Sequence, residues 1–356
     1  GGAGFIGSNL AKHFMDKHEV LVVDKFRSNE TFSNGNLKSF GHYKNLIGFK
    51  GQIHCGDICD RDTIKKMREF KPDVIYHEAA ISDTTVAEQD EIMRVNLNSF
   101  KDILDIAYEN GSKLIYASSG ATYGNAPSPQ SVGKGENPGN VYGFSKLMMD
   151  EMGREFNAKT GLHIVGLRYF NVYGDGEFYK NKTASMVLQF GLQILSGKAP
   201  RLFEGSDKIK RDFVYIKDII LANELAINGD SGVYNVGTGN ARSFQDIADI
   251  LQREIGVNLG NEYITNPFAS QYQFFTQADI AMSDAIAQTV RFGDAAYSSS
   301  IFLEKHSSKE SGIQFFIPAS WHHNQNSEYG EEFVSFAPYD SDGFIDFSYG
   351  YMDFYE

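Results

Sequence analysis

Short β-branched and apolar runs alternate with amphipathic stretches through the first half of this chain, and that rhythm restricts the fold more than any other feature. Glu19–Asp24, Gln52–Asp57, Asp73–His77, Lys113–Ser118 and His163–Tyr169 read as buried strands. Helical patterns lie among them over Asn9–Lys17, Asp62–Phe70, Gln89–Asn110 and Val141–Lys159. Strand and helix in regular turn predict an α/β fold with a Rossmann-like, doubly wound parallel sheet and right-handed crossovers. After Asn171 the elements become shorter and richer in loops. A smaller C-terminal lobe is expected there, capping the sheet edge at which α/β folds bind ligands.

The chain opens inside a glycine turn, Gly1-Gly2-Ala3-Gly4-Phe5-Ile6-Gly7. Glycines at Gly1, Gly4 and Gly7 suit a tight turn, close approach of backbone to a pyrophosphate, and close helix packing. The following helix N-terminus offers unpaired N–H groups to phosphate. No strand precedes this turn in the sequence, so the sheet is expected to lack its first, central strand. Asp24 closes the next strand, where an acid can hold the adenosine ribose; a turn cap is the plainer use of it. Lys25 and Arg27 follow and suit a 2′-phosphate. Asp57 ends the next strand and suits either the adenine amino group or an Asx turn. His77-Glu78-Ala79-Ala80 has small residues that let backbone pass beside a cofactor. No further ligand stands at helical spacing from His77 and Glu78, so no metal site is expected.

Tyr142-Gly143-Phe144-Ser145-Lys146 carries the strongest chemical signal. Residues four apart share a helix face, so Tyr142 and Lys146 point together. A phenol titrates near 10 in water. A neighbouring ammonium and a positive nicotinamide ring are expected to lower that value, which suits Tyr142 to proton exchange with a substrate hydroxyl during hydride transfer. The third member is a hydroxyl at the end of Lys113–Ser118. Ser119 is the first choice, and Ser118 and Thr122 are its rivals.

Taken together these features resemble the extended short-chain dehydrogenase/reductases. His77–Thr85 (HEAAISDTT), Asn140–Lys146 (NVYGFSK), Gly166–Gly174 (GLRYFNVYG), Leu202–Tyr215 (LFEGSDKIKRDFVY) and Tyr272–Asp279 (YQFFTQAD) resemble the ADP-glyceromanno-heptose 6-epimerase family in particular. The likeness extends to about residue 280. It implies a Rossmann domain over 1–170, a substrate lobe over 171–280 and a tail outside the family over 281–356.

It further implies epimerisation at C6 of an ADP-linked heptose through transient hydride transfer to NADP, with NAD as the alternative. This reaction belongs to lipopolysaccharide inner-core precursor synthesis. By the same likeness Phe5, Ile6, Lys25, Glu78, Ala79, Ala80, Ser82, Asn96, Lys146 and Val172 join Gly1, Gly4, Gly7, Asp24 and Asp57 around the cofactor. Epimerisation uses both faces of a carbon, and the likeness places a second base at Lys180, with Lys182 as rival. Asn171, Lys180, Lys182, Gln189, Phe203, Glu204, Gly205, Ser206, Arg211 and Tyr272 are implied to contact substrate. A guanidinium also suits a diphosphate on its own account, unless Arg211 pairs with Asp207 or Asp212.

The sequence departs from that family where Asp175-Gly176 follows Gly174 in place of Pro-Arg, which is expected to weaken substrate phosphate binding or the order of the loop. A 4,6-dehydratase would need an Asp-Glu pair where Gly120, Ala121 and Tyr123 stand. A UDP-hexose 4-epimerase shares the Ser-Tyr-Lys set and remains open. So does a non-catalytic, cofactor-binding fragment.

The net charge of −13 argues against nucleic acid as a partner. No apolar run approaches the roughly 20 residues of a membrane span. A cytoplasmic enzyme and a homo-oligomer are expected, with Cys55 and Cys59 as buried thiols. From Ala281 onward twelve acids face three bases. Alternation such as Gly343–Tyr349 suits strands, and adjacent His322 and His323 are not expected to bind metal.

Overall fold

The computed structural model describes residues 1–265 throughout and, beyond them, only the backbone of five strands between residues 303 and 348. The chain forms two compact units, Gly1–Asn266 and Pro267–Glu356. The first is an α/β unit of the Rossmann-like type. Its leading half runs α1 (Phe5–Phe14), β1 (Leu21–Asp24), β2 (Gln52–Cys55), α2 (Arg61–Phe70), β3 (Val74–His77), α3 (Gln89–Ile92), α4 (Ser99–Asn110), β4 (Lys113–Ser119), α5 (Val141–Thr160) and β5 (Ile164–Tyr169). The same unit continues with β6 (Asn171–Tyr173), α6 (Met186–Leu195), β7 (Arg201–Phe203), β8 (Lys210–Arg211), β9 (Phe213–Tyr215), α7 (Ile216–Ala226), β10 (Gly232–Val236), β11 (Arg242–Ser243), α8 (Phe244–Ile255) and β12 (Glu262–Ile264).

The main sheet is parallel, in the order β10-β5-β4-β3, and β1 pairs in parallel with β2 as a separate ribbon. Successive residues of a strand face opposite sides of its sheet. In β4, Leu114 and Tyr116 pack with Phe100, Ile103 and Leu104 of α4 and Met149 of α5. Ile115 and Ala117 turn the other way and pack with Phe5 of α1 and Ile216, Ile219 and Ala226 of α7. A strand covered by helices on both faces favours apolar side chains on both, which is why Leu114–Ala117 within the Lys113–Ser118 run is legible in sequence. Between β1 and β3 no ladder forms among the described residues. Instead, the Gly2 amide donates to the Val23 carbonyl at 3.2 Å, and Gly1 packs against the Glu78–Ala79 backbone. The glycine turn is thereby fixed at the carboxyl ends of both strands.

Capping chemistry sets the long helices. Asn140 caps α5 by accepting from the Gly143 amide at 2.9 Å, and Gly161 ends it at φ 71°. Ser243 and Asp246 form a reciprocal capping box on α8. α6 and α8 bury Phe190, Ile247 and Ala248 against Leu202 and Phe213.

Three local expectations need correction. The Asn9–Lys17 helix begins earlier, at Phe5, because the turn leads directly into it. Gln89–Asn110 is helical from end to end but not α-helical throughout: a π turn over Met93–Asn98 lies between α3 and α4. Inside that turn Asn96 accepts from the Ile81 amide at 2.8 Å and donates to the Ile81 carbonyl at 3.0 Å, holding the loop after β3. The cysteines are not buried: Cys55 is exposed and Cys59 half-buried, since β2 is an edge strand with one side open.

In the second unit the backbone forms β13 (Leu303–Ser307), β14 (Gln314–Pro318), β15 (Trp321–Glu328), β16 (Glu331–Pro338) and β17 (Ile345–Ser348). All pairings there are antiparallel, β13 with β14 and β15-β16-β17 in order.

Candidate active site

The glycine turn is a cradle that side chains would fill. A Cβ on Gly1 would lie 2.6 Å from the Ala79 nitrogen, and one on Gly7 would overlap the Gly1 carbonyl oxygen. Gly4 precedes α1 with no side-chain cap, so the first-turn amides of Phe5, Ile6 and Gly7 keep unpaired N–H groups. An uncapped helix start above a glycine cradle fits the pyrophosphate of a dinucleotide.

Asp24 is buried beneath this turn. Its Oδ2 accepts from the Ala3 amide at 2.9 Å and its Oδ1 from the Phe26 amide at 2.7 Å. Asp57 forms the Asx turn, accepting from the Cys59 amide at 2.9 Å, and its other oxygen lies 3.3 Å from Lys25 Nζ. Burial pushes the Asp57 carboxyl up, but the Cys59 amide and Lys25 more than offset this and hold it below the usual range. Arg27 donates to the Tyr179 carbonyl at 3.5 Å. Ala79, Ala80 and Val172 are half-buried and Ser82 is exposed. Asn96 is fully buried, its amide spent on Ile81 and on Ser145 Oγ at 3.0 Å, so it acts through the loop.

Tyr142 and Lys146 share the first turns of α5. Lys146 is buried and donates to the Ala117 carbonyl at 2.7 Å. Burial drives its pKa down to about 8, against the opposing pull of Glu78 and Asp150. The three candidate hydroxyls separate cleanly. Ser118 turns to Asp150 at 3.0 Å, Thr122 donates to the Ser119 carbonyl at 2.9 Å, and Ser119 is the hydroxyl beside the Tyr142 phenol. The fold by itself does not lower the Tyr142 pKa. Burial raises it, the Ser119 hydroxyl pulls part of that back, and the nearby Glu78 carboxylate raises it further. Glu78 itself accepts from Tyr169 Oη at 3.0 Å, and burial pushes it up to about 7.

The segment after β6 folds back onto the glycine turn. Asn9 donates to the Asp175 carbonyl at 2.7 Å, and Gly176, at φ 97°, lets the chain pass. Tyr179 stacks on His42 with ring centroids 3.9 Å apart. Lys180 lies 5.9 Å from the Phe5 ring centroid; burial lowers its pKa and Glu177 opposes this. Lys182 is exposed.

Gln189 turns inward to the Ala184 carbonyl at 2.7 Å, while Asn171, Glu204 and Gly205 are exposed and Phe203 is half-buried. Ser206 is buried with no partner for its hydroxyl among the described residues. Arg211 is exposed, without an acidic partner among the described residues. Asp212 is instead engaged by the Thr238 and Gly239 amides at 2.9 and 2.8 Å. Tyr272 lies outside the described residues.

Residues 1–237 match the NAD dependent epimerase/dehydratase family. The chain belongs to that family. Among solved structures it is similar to the ADP-L-glycero-D-manno-heptose-6-epimerase of Helicobacter pylori, at 43% identity over 80% of this chain and 93% of that one, TM-score 0.69. It is also similar to the UDP-glucose 4-epimerase of Thermotoga maritima solved with UDP-glucose, at 26% identity over 76% and 85%, TM-score 0.68. A third is the UDP-glucose 4-epimerase of Thermus thermophilus in complex with NAD, at 28% identity over 75% and 84%, TM-score 0.63. Among the described residues no helix is long and apolar enough to cross a membrane.

Sequence reasoning missed His42, Tyr179, Glu136, Asp150 and Arg168. None stands in a spacing that distinguishes it, and each acquires its partner from a distant part of the chain.

Proposed function

We propose that this epimerase/dehydratase family member inverts C6 of the heptose in an ADP-linked heptose, as a cytoplasmic homo-oligomer serving lipopolysaccharide inner-core synthesis. What supports the substrate is the 43% identity to the Helicobacter pylori enzyme, which spans 93% of that chain. The single structural observation that carries the reading is a basic side chain on each of two separate elements, Lys146 of α5 buried against the Ala117 carbonyl and Lys180 half-buried 5.9 Å from the Phe5 ring centroid. In this reading 1–170 hold the dinucleotide, 171–280 hold the sugar nucleotide, and 281–356 stand apart.

The dinucleotide supplies a reversible hydride acceptor when bound. Gly1, Gly4 and Gly7 with the amides of Phe5 and Ile6 hold its pyrophosphate. Both oxygens of Asp24 are spent on backbone amides, which leaves Lys25 and Arg27 as the groups suited to a 2′-phosphate and favours NADP over NAD. Tyr142, beside Ser119, would take the proton of the C6 hydroxyl as hydride leaves one face of C6, and Lys180 would give a proton to the carbonyl oxygen as hydride returns to the other face, the two roles exchanging in the reverse direction. Lys180 serves the other face; its depressed pKa makes it a better proton acceptor than an exposed lysine. Arg211 and Ser206 hold the diphosphate and its surroundings.

The test follows interconversion of the two ADP-heptose epimers by NMR. Tyr142→Phe and Lys180→Met should each lose at least about a hundredfold in kcat, with Lys182→Met active. An active Lys180→Met beside a dead Lys182→Met would reverse the assignment of the second base. Mass spectrometry of the denatured protein should release NADP; NAD alone would overturn the cofactor choice.

A further inference from the structure

Behind Ser119, Tyr142 and Lys146 lies a group of ionisable side chains that the proposed reaction does not use. Arg168 of β5 and Asp150 of α5 are both 0% exposed. Arg168 Nε donates to Asp150 Oδ2 at 2.8 Å, and Nη2 lies 2.8 Å from the same oxygen. Asp150 also accepts from Tyr116 Oη at 2.9 Å and Ser118 Oγ at 3.0 Å, so one carboxylate joins β4, β5 and α5. Nη1 of Arg168 points out of this cluster and donates to Glu136 at 2.6 Å.

Glu136 belongs to the segment between Gly124 and Asn140, which carries the chain from the end of β4 to the start of α5. The same carboxylate oxygen accepts from the Gly133 amide at 2.6 Å. The segment is tied down a second time at Gln130, whose carbonyl accepts from Asn235 at 3.0 Å; Asn235 in turn accepts from Tyr123 Oη at 2.6 Å. The Arg168 guanidinium lies 4.9 Å from the Tyr123 ring centroid, joining the two ties. Two residues beyond Glu136, Pro138 packs against Gly143, and Asn140 caps the helix whose second residue is Tyr142.

A buried ion pair is a poor means of stabilising a fold, because desolvating both charges costs about as much as their attraction returns. What such a pair does fix is relative position, since an unpaired buried charge is heavily penalised. Here the fixed objects are the body of α5, through Asp150, and the segment leading into its first turn, through Glu136. We propose that Arg168 is a positioning residue: by holding Asp150 and Glu136 at once it sets the first turn of α5, with Tyr142, against the end of β4, with Ser119. This rests on the reading of Tyr142 as the group that handles the substrate proton.

Glu136 offers the gentle perturbation, because it sits at the edge of the cluster and its loss leaves Arg168 balanced by Asp150. In the full chain with its dinucleotide, Glu136→Gln should lower kcat about tenfold while KM and retained dinucleotide stay within twofold. Amide hydrogen exchange should quicken across residues 124–143 and stay unchanged in α4. Arg168→Lys, which reaches one carboxylate but not both, should reproduce the kcat loss; if it does not fold, Glu136→Gln decides alone. An unchanged kcat, or a kcat loss that merely tracks lost dinucleotide, would overturn the proposal. So would unchanged exchange over residues 124–143, which is read independently of any substrate. A wild type that leaves ADP-heptose unconverted while Glu136→Gln still frees that segment would instead sink the functional reading.

Discussion

Replacing Gly7 with alanine tests whether the opening turn is a cradle or only a loop. The added methyl would overlap the Gly1 carbonyl oxygen and lie 2.9 Å from both the Gly1 carbonyl carbon and the Gly2 Cα. All three are backbone atoms in the turn itself, so no side chain can swing away to make room. Relief requires α1 to move off the turn, which breaks the close helix packing that Gly7 permits and spreads the first-turn amides. Overpacking of this kind costs about 1–3 kcal/mol. In a unit of this size that is a loss of roughly 2–4 °C in Tm per kcal/mol. Gly191 inside α6 supplies the opposite case, for nothing lies within 4 Å of its would-be Cβ. There Gly191→Ala should stabilise by about 0.5–1 kcal/mol through helix propensity alone. Both variants are read by thermal melting and by the molar ratio of dinucleotide released on denaturation. Gly7→Ala should melt lower and arrive depleted of dinucleotide; Gly191→Ala should melt higher and arrive loaded. A Gly7→Ala protein that keeps full dinucleotide and its wild-type Tm would refute the cradle argument.

Two further outcomes follow from the titrating groups. Lys146 has its folded pKa lowered to about 8 by burial, so its ammonium is present below that value and lost above it; kcat should fall as pH rises through about 8, and a flat profile from pH 7 to 10 would contradict this. Of the two thiols, Cys55 is exposed whereas burial and Asp57 push Cys59 up to about 11, so a thiol reagent at pH 8 should modify Cys55 promptly and Cys59 slowly, and two equal rates would count against the described environment of β2.

How much of this protein is legible in its sequence depends on whether the determinant is local. Buried strands such as Lys113–Ser118 announce themselves because both sheet faces are covered and the run from Leu114 to Ala117 is apolar on both. The Tyr142–Lys146 pair is equally plain, since helical periodicity alone puts the two on one face. The glycine turn and the Asn140 and Ser243 caps are likewise written in adjacent residues. Protonation behaviour was not legible. The sequence suggests a Tyr142 phenol made acidic by its lysine and a nicotinamide ring; what it does not display is that burial and the Glu78 carboxylate push the phenol the other way, because desolvation depends on what the whole fold packs around the group. Nor does the sequence separate Lys180 from Lys182, two residues apart on one loop. The docking of that loop through Asn9, Arg27 and His42 draws Lys180 in beside Phe5 and leaves Lys182 in water. Arg168, Asp150 and Glu136 come from β5, α5 and an irregular segment, and only the tertiary structure makes them neighbours. Periodicity and turn chemistry are properties of a few consecutive residues, whereas burial, ion pairing and pKa are set by groups that meet only after the chain has folded.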